Sequence, residues 1–125
     1  MKDNLIISRK DCFLNMQYSV FNDLLETQFA DCKAILDKKA KEYAPNVDGD
    51  RLEAFKRAAA MLQKTPIQAL VGQMSKHTIS LFEMAERKCD DMDLWNEKIV
   101  DSLNYLFLLK GLLLDEYGAL KVVKK

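Results

Sequence analysis

Apolar residues recur every three or four positions along most of the chain, which is the spacing that gives an α-helix one apolar face. No segment shows the strict alternation of apolar and polar residues that is typical of a half-buried strand. Glycine and proline are rare, and only residues 44–50 (APNVDGD) have the composition of a mid-chain turn. The pattern predicts an all-α bundle of four or five helices in a single domain, residues 1–125.

The first predicted helix is long and carries a lysine in its apolar stripe. Ser8 or Asp11 can begin it, and it continues to the mid-chain turn either as one helix or as two joined near Asn22. Lys39 lies in the middle of the stripe, where an ammonium group is costly to bury. We expect Lys39 either to extend its charged end to solvent or to pair with Asp101 or a phosphate oxygen.

Capping residues predict a short second helix and a longer third one. Asp50 and Glu53 form a capping box for a helix that continues to about Gln63. Residues 65–68 (TPIQ) form a better box, with threonine as the cap, proline in the first turn and glutamine reaching back. The third helix should end near Lys88. Its predicted apolar face is Ile67, Leu70, Val71, Met74, Thr78, Leu81, Phe82 and Ala85.

The fourth helix begins after an acidic segment and ends at a glycine. Asp91 or Asp93 can cap it, since a negative charge is favourable at a helix N-terminus. The apolar period continues to about Tyr117, and Gly118 is placed to end the helix. Residues 119–125 are predicted to be a frayed basic tail.

The fourth helix divides its side chains into two sides. Its broad apolar side is made by Ile99, Val100, Leu103, Leu106, Phe107, Leu113 and Leu114. Its opposite side is made by Glu97, Asp101, Asn104 and Leu108. The polar side is either a solvated surface, as in most amphipathic helices, or a ligand or metal face inside the bundle. In the second case its carboxylates would supply the hard oxygen ligands that suit Mg²⁺.

Two further cationic or titratable residues are candidates for binding. His77 is the only histidine and flanks the apolar stripe of the third helix, so it is either a hydrogen-bonded edge residue or a group that contacts a phosphate or stacks on a base. Arg51 follows the turn, where it is either a surface charge or a phosphate clamp. Glu83 and Glu86 are interpreted as solvated surface.

Composition excludes several classes of function. The 19 basic and 19 acidic residues cancel, which disfavours general binding to long nucleic acids. Three scattered cysteines and one histidine disfavour both a disulfide framework and a structural zinc site. The chain shows no signal peptide, membrane span or glycine-rich phosphate loop, so we expect a cytoplasmic protein.

Four segments together resemble a known group of proteins. They are ILDKKAKEYA (35–44), GDRLEAFKRAAAMLQKTPIQAL (49–70), SKHTISL (75–81) and EKIVDSLNYLFLL (97–109). Their order and spacing resemble those of small phage and bacterial all-α proteins similar to MazG-like nucleoside triphosphate pyrophosphatases and to nucleotide-modification-associated domains. The likeness covers roughly residues 32–114 and implies a MazG-like bundle.

The resemblance implies roles for particular residues. MazG-like enzymes bind Mg²⁺ through acids on two neighbouring helices and cleave a nucleotide between its α and β phosphates. By position, the metal ligands would be Glu42, Glu97 and Asp101. Lys39 and Lys76 would contact phosphate. Asn104 and Tyr105 would orient the base or sugar. The predicted ligand-binding set is Lys39, Tyr43, Arg51, Lys76, His77, Asn104 and Tyr105.

Two lysines depart from the MazG-like pattern. Those enzymes carry E-x-x-E on one helix and E-x-x-D on the next, whereas Lys39 and Lys98 stand where the leading acids fall. Each replacement removes a metal ligand, and a lysine in such a pocket can neutralise a phosphate directly. The departures therefore favour binding over hydrolysis.

The sequence favours one function and leaves two alternatives open. The favoured function is binding of a nucleotide or cyclic nucleotide by a homo-oligomeric helical protein, with phage-encoded sequestration in counter-defence as one form. Leu112, Leu113 and Leu114 are expected to leave surface for a partner subunit. The alternatives are a Mg²⁺-dependent nucleoside triphosphate pyrophosphohydrolase and a protein-binding inhibitor or adaptor without a small ligand.

Overall fold

A computed structural model describes residues 15–43 and 49–118 of the chain. These residues form four α-helices and no strand. The helices are α1 (Tyr18–Tyr43), α2 (Glu53–Leu62), α3 (Pro66–Glu86) and α4 (Met92–Tyr117). The predicted all-α bundle is therefore confirmed, with four helices in the described part of the chain.

The first helix is a single element from its start to its end. α1 passes through Asn22 without interruption, so the alternative of two shorter helices is wrong. The proposed caps Ser8 and Asp11 and the basic tail, residues 119–125, lie outside the described residues.

The capping box of α3 is confirmed in full. The Thr65 hydroxyl accepts the backbone N–H of Gln68 at 3.1 Å, and the Gln68 side chain accepts the backbone N–H of Thr65 at 3.0 Å. Pro66 occupies the first turn, where its missing N–H leaves no hydrogen bond unmade. These reciprocal bonds fix where α3 begins and hence the register of its inner face.

Asp50 does not cap α2, which corrects the capping box predicted there. The N-cap of α2 is Leu52, and no side chain caps the helix at that position. One Asp50 oxygen accepts the backbone N–H of Leu52 at 2.9 Å, which forms an Asx-turn just before the helix. The other oxygen pairs with Lys56 at 2.6 Å, and Lys56 also pairs with Asp115 of α4 at 2.9 Å. The carboxylate therefore anchors the turn and the start of α2 to α4.

Both ends of α4 are fixed by local bonds. The Asp91 carboxylate accepts the backbone N–H of Leu94 at 3.2 Å, so Asp91 rather than Asp93 is the cap. The indole N–H of Trp95 donates to the carbonyl of Cys89 at 2.9 Å and ties the turn between α3 and α4 to the first turn of α4. Gly118 ends the helix at φ 106°, a conformation that L side chains rarely adopt.

The helices pack as a chain of neighbours, with α1 against α4, α4 against α3, and α3 against α2. Buried apolar side chains line these contacts. They are Cys32, Ala59, Ala69, Leu70, Met84 and Leu112. None of the helices in the described part of the chain is both long enough and apolar enough to cross a membrane.

Helices α3 and α4 turn inward only part of the faces that their apolar patterns predict, together with polar side chains. In α3, Val71 and Phe82 are exposed, whereas Gln73 and His77 are partly buried. In α4, Asn104 is buried although it belongs to the polar side of the helix. Polar side chains therefore face the interior, and part of each apolar side faces outward.

An outer apolar face extends over α1 and α4. It consists of the exposed side chains of Phe21, Leu25, Phe29, Leu106 and Phe107. The rings of Phe29 and Phe107 contact each other, with centroids 5.8 Å apart, so the two helices contribute to one surface. The expected partner surface at Leu112 is wrong, because that side chain is only 2% exposed and belongs to the core.

Candidate functional site

A cleft between the four helices collects most of the polar residues that face inward. It has a volume of about 420 Å³, and every helix contributes to its wall. We call it the four-helix cleft. Its lining residues are Ile35, Leu36, Lys39, Arg51, Ala54, Phe55, Ala58, Gln73, His77, Asp101, Asn104, Tyr105 and Leu108.

Two cationic side chains line the cleft. Lys39 reaches it from the last part of α1, and Arg51 reaches it from the turn before α2. One guanidinium N–H group of Arg51 donates to the backbone carbonyl of Leu36 at 3.3 Å, which fixes the arginine against α1. A guanidinium carries five N–H donors, so others remain to bind an anion in the cleft.

An aromatic pair from α3 and α4 also lines the cleft. The rings of His77 from α3 and Tyr105 from α4 lie 5.0 Å apart, tilted by 39°. The Tyr105 hydroxyl donates to the side-chain oxygen of Gln73 at 3.3 Å. Burial, and to a lesser extent the charge of Asp101, raises the pKa of Tyr105 above its ordinary value of 10.0. The phenol therefore stays protonated at neutral pH and remains a hydrogen-bond donor.

Asp101 lies beside the imidazole of His77. Its carboxylate oxygen is 3.9 Å from Nδ1 of His77, which is close enough for attraction to a protonated imidazole but too long for a hydrogen bond. The Asp101 side chain is 36% exposed and the His77 side chain 18%. The carboxylate is thus accessible from the cleft, while the imidazole forms part of its wall.

Buried side-chain atoms of Asn104, His77 and Ser102 lack hydrogen-bond partners among the described residues, and Asn104 is the most buried of these three residues. Asn104 is 6% exposed, and neither its amide nitrogen nor its amide oxygen has a hydrogen-bond partner in residues 15–43 and 49–118. A buried polar group in that condition costs about 1–3 kcal/mol of stability. Native structures contain few such groups, and functional sites are where they are expected. Asn104 is therefore the strongest indication in the cleft that a ligand completes it.

The structure brings together six of the ten residues predicted from the sequence and leaves three outside the cleft. The six that line the four-helix cleft are Lys39, Arg51, His77, Asp101, Asn104 and Tyr105. Lys76, Glu42 and Glu97 are exposed and do not line it. Lys76 precedes His77 by one position, which on a helix turns it about 100° away. Tyr43 ends α1, but its side chain lies outside the described residues.

The predicted metal ligands do not fit a metal site. Of the three acids, only Asp101 lines the cleft, and the described residues contain no group of three His, Cys, Asp or Glu side chains that could hold a metal ion. A hard cation such as Mg²⁺ prefers several oxygen ligands in a near-octahedral arrangement. One accessible carboxylate beside two cationic side chains does not provide them.

Gln73 is the polar residue that sequence reasoning missed. It lines the cleft one helical turn before His77 and accepts the hydroxyl of Tyr105. The spacing of four residues between Gln73 and His77 on one helix places both on the same face and could have indicated it.

Comparison of the chain with protein-family models, with curated proteins and with solved structures gave no match.

Proposed function

We propose that the four-helix cleft binds a nucleotide or a nucleotide-derived signal, in an oligomeric cytoplasmic protein whose role is binding rather than hydrolysis. The observation that carries the proposal is the convergence of two cations, an aromatic pair and an unsatisfied buried amide on one cleft. Sequestration of such a molecule, as in phage counter-defence, is the form of this function that the sequence resemblance favours.

The two cationic side chains of the cleft can bind a phosphate group. Arg51 is held in place by its bond to the Leu36 carbonyl, so little side-chain entropy is lost when it binds an anion. Lys39 supplies a second positive charge from α1. Two cations neutralise a phosphate without a metal ion, which agrees with lysine standing where a MazG-like enzyme has an acid.

The aromatic pair and Asn104 can bind a base. His77 and Tyr105 offer ring surface for stacking, which is worth about 1–3 kcal/mol per base in proteins that bind single strands. The Asn104 amide has N–H donors and a carbonyl acceptor that can bond the edge of a base once a neighbouring side chain moves to expose them. A volume of about 420 Å³ suits a small molecule and is near the lower end of the usual range for ligand sites.

The outer apolar face supports an oligomer. Soluble monomers rarely expose contiguous apolar patches of more than a few hundred square ångströms, roughly speaking, unless a partner covers them. Phe29 is 63% exposed and contacts Phe107. A second copy of the chain placed on this face would bury both rings and leave the four-helix cleft available to the ligand.

Thermal-shift measurements with and without Mg²⁺ test the proposal. Nucleotides and cyclic nucleotides should raise the melting temperature equally well in EDTA, since a ligand at 100 times its Kd stabilises the folded state by about 2.7 kcal/mol. Incubation should release no pyrophosphate. A shift that needs Mg²⁺ together with pyrophosphate release would favour the enzyme alternative, and no shift across the panel would favour the adaptor alternative.

Paired alanine variants locate the binding site. Lys39→Ala should weaken binding roughly tenfold or more, because it removes a charged partner of the phosphate. Lys38→Ala is the matched control, since Lys38 is exposed on the same helix and does not line the cleft. Equal effects of the two variants would mean that general charge, not the four-helix cleft, attracts the nucleotide.

A further inference from the structure

The side chains that would read the base lie three positions apart on α4. Asp101 and Asn104 therefore share one face of the helix, and both line the four-helix cleft. The Asp101 carboxylate has His77 at 3.9 Å as its neighbour and keeps its acceptor capacity, while the Asn104 amide has no partner for either of its atoms. The wall thus presents a carboxylate that only accepts hydrogen bonds beside an amide that can donate one.

The four common bases differ in how well they match this pair. A carboxylate can accept two parallel N–H bonds, so it is best matched by a base with two adjacent donors. Guanine has them at N1 and at its exocyclic amino group, with the O6 acceptor next to N1. Adenine has one amino group between the acceptors N1 and N7, and cytosine has one amino group next to the acceptor N3. Uracil has one N–H between two acceptors. Each acceptor that faces the carboxylate would be repelled by its charge.

We infer that the base read by this cleft is guanine, an inference that rests on the proposed nucleotide-binding function. Asp101 accepts the N1–H and amino N–H groups, and the Asn104 amide nitrogen donates to O6. The aromatic pair of His77 and Tyr105 lines the same cleft, and the phosphate extends toward Lys39 and Arg51. Asp101 is then a specificity-determining residue.

Binding requires a small rearrangement of the cleft. The amide atoms of Asn104 are themselves shielded from solvent, so a base reaches them only after a neighbouring side chain moves. That movement lets the ligand complete the amide's hydrogen bonds, which no described residue of the protein makes.

Isothermal titration of the full chain with GMP, IMP, AMP, CMP and UMP tests the inference. IMP is the decisive comparison, because it keeps N1–H and O6 and lacks only the amino group. GMP should bind roughly tenfold or more tightly than IMP, as expected for one hydrogen bond to a charged acceptor. AMP, CMP and UMP should bind more weakly than IMP.

One isosteric variant links the preference to its residue. Asp101→Asn should bring the affinities for GMP and IMP within about twofold of each other, since an amide cannot accept both N–H groups as a carboxylate does. Glu83→Gln makes the same chemical change at an exposed position of α3 outside the cleft and should leave the GMP preference intact. Circular dichroism melting of each variant verifies that it is folded.

The outcomes separate this inference from the proposed function. A preference for GMP that Asp101→Asn removes supports guanine recognition. Equal binding of all five nucleotides, or a preference for another base, overturns the inference and leaves nucleotide binding standing. A GMP preference that survives Asp101→Asn overturns the role of Asp101. Binding of none of the five overturns both.

Discussion

Replacing Asn104 by leucine should make the free protein more stable and its cleft less functional. The amide is 6% exposed, and both of its polar atoms lack partners. Leucine has a similar reach, and apolar side chains such as Leu108 and Phe55 already line the same cleft. The substitution therefore removes an unsatisfied polar group and adds apolar contact.

The expected gain follows from the cost of the unmade bonds. Relief of a buried unsatisfied amide is worth about 1–3 kcal/mol. For a chain of this size 1 kcal/mol corresponds to roughly 3–5 °C in melting temperature, so Asn104→Leu should raise Tm by about 3–15 °C. Nucleotide binding should be lost, because the group that completes the ligand's hydrogen bonds is gone.

Chemical denaturation and calorimetry of Asn104→Leu measure the gain, with Asn96→Leu as the matched control. Asn96 is exposed on the same helix. Replacing it by leucine raises helix propensity by the same amount but removes no buried unsatisfied amide. The control should change stability by no more than about 0.5 kcal/mol. If Asn104→Leu instead lowers stability while the control is neutral, the amide is satisfied in the free protein and the argument for a ligand there fails.

Two further predictions concern the surface and the turn before α2. Phe29→Lys should dissociate the oligomer, as measured by sedimentation velocity, because it places a charge against Phe107 on the outer apolar face. The control is Met61→Lys, which should leave the oligomer intact, since Met61 is 86% exposed and lies outside that face. An oligomer that is unchanged in Phe29→Lys would exclude the outer apolar face as the interface. The hydrogen bond from Lys56 and, to a lesser extent, that from the Leu52 N–H hold the pKa of Asp50 below its ordinary 3.8. Lys56→Met should therefore lower the free energy of unfolding above pH 3.8, and this loss should diminish as the pH falls further and Asp50 becomes protonated. A loss that stays constant between roughly pH 2 and 7 would contradict the pairing.

The ends of the helices could be predicted because local residues determine them. Thr65 with Gln68, Asp91 and Gly118 each act on backbone groups within a few positions, so the sequence alone contains the whole interaction. Asp50 was misassigned because the outcome depends on Lys56, whose second partner belongs to α4. Lys56 is only six positions from Asp50, but the contact between Lys56 and Asp115 joins parts of the chain that are far apart in sequence.

The inward faces of the long helices could not be predicted from periodicity. An apolar stripe normally marks the buried side of a helix, but here Asn104 is inside while Phe107 is 42% exposed. Periodicity cannot distinguish an apolar side that faces the protein's own core from one left outward. The sequence indicated six of the residues that line the cleft, among them Lys39, which interrupts the apolar stripe of α1, and Asp101, which belongs to the polar side of α4.

The central claim is that the four-helix cleft receives a nucleotide between its cationic and amide walls. The most direct measurement is a ¹H–¹⁵N NMR titration with GMP in EDTA that follows the side-chain amides of Asn104 and Gln73 and the guanidinium of Arg51. We predict that these signals shift together and saturate at one equivalent of ligand per chain. Shifts confined to the outer apolar face, or unchanged spectra at saturating nucleotide, would contradict the account.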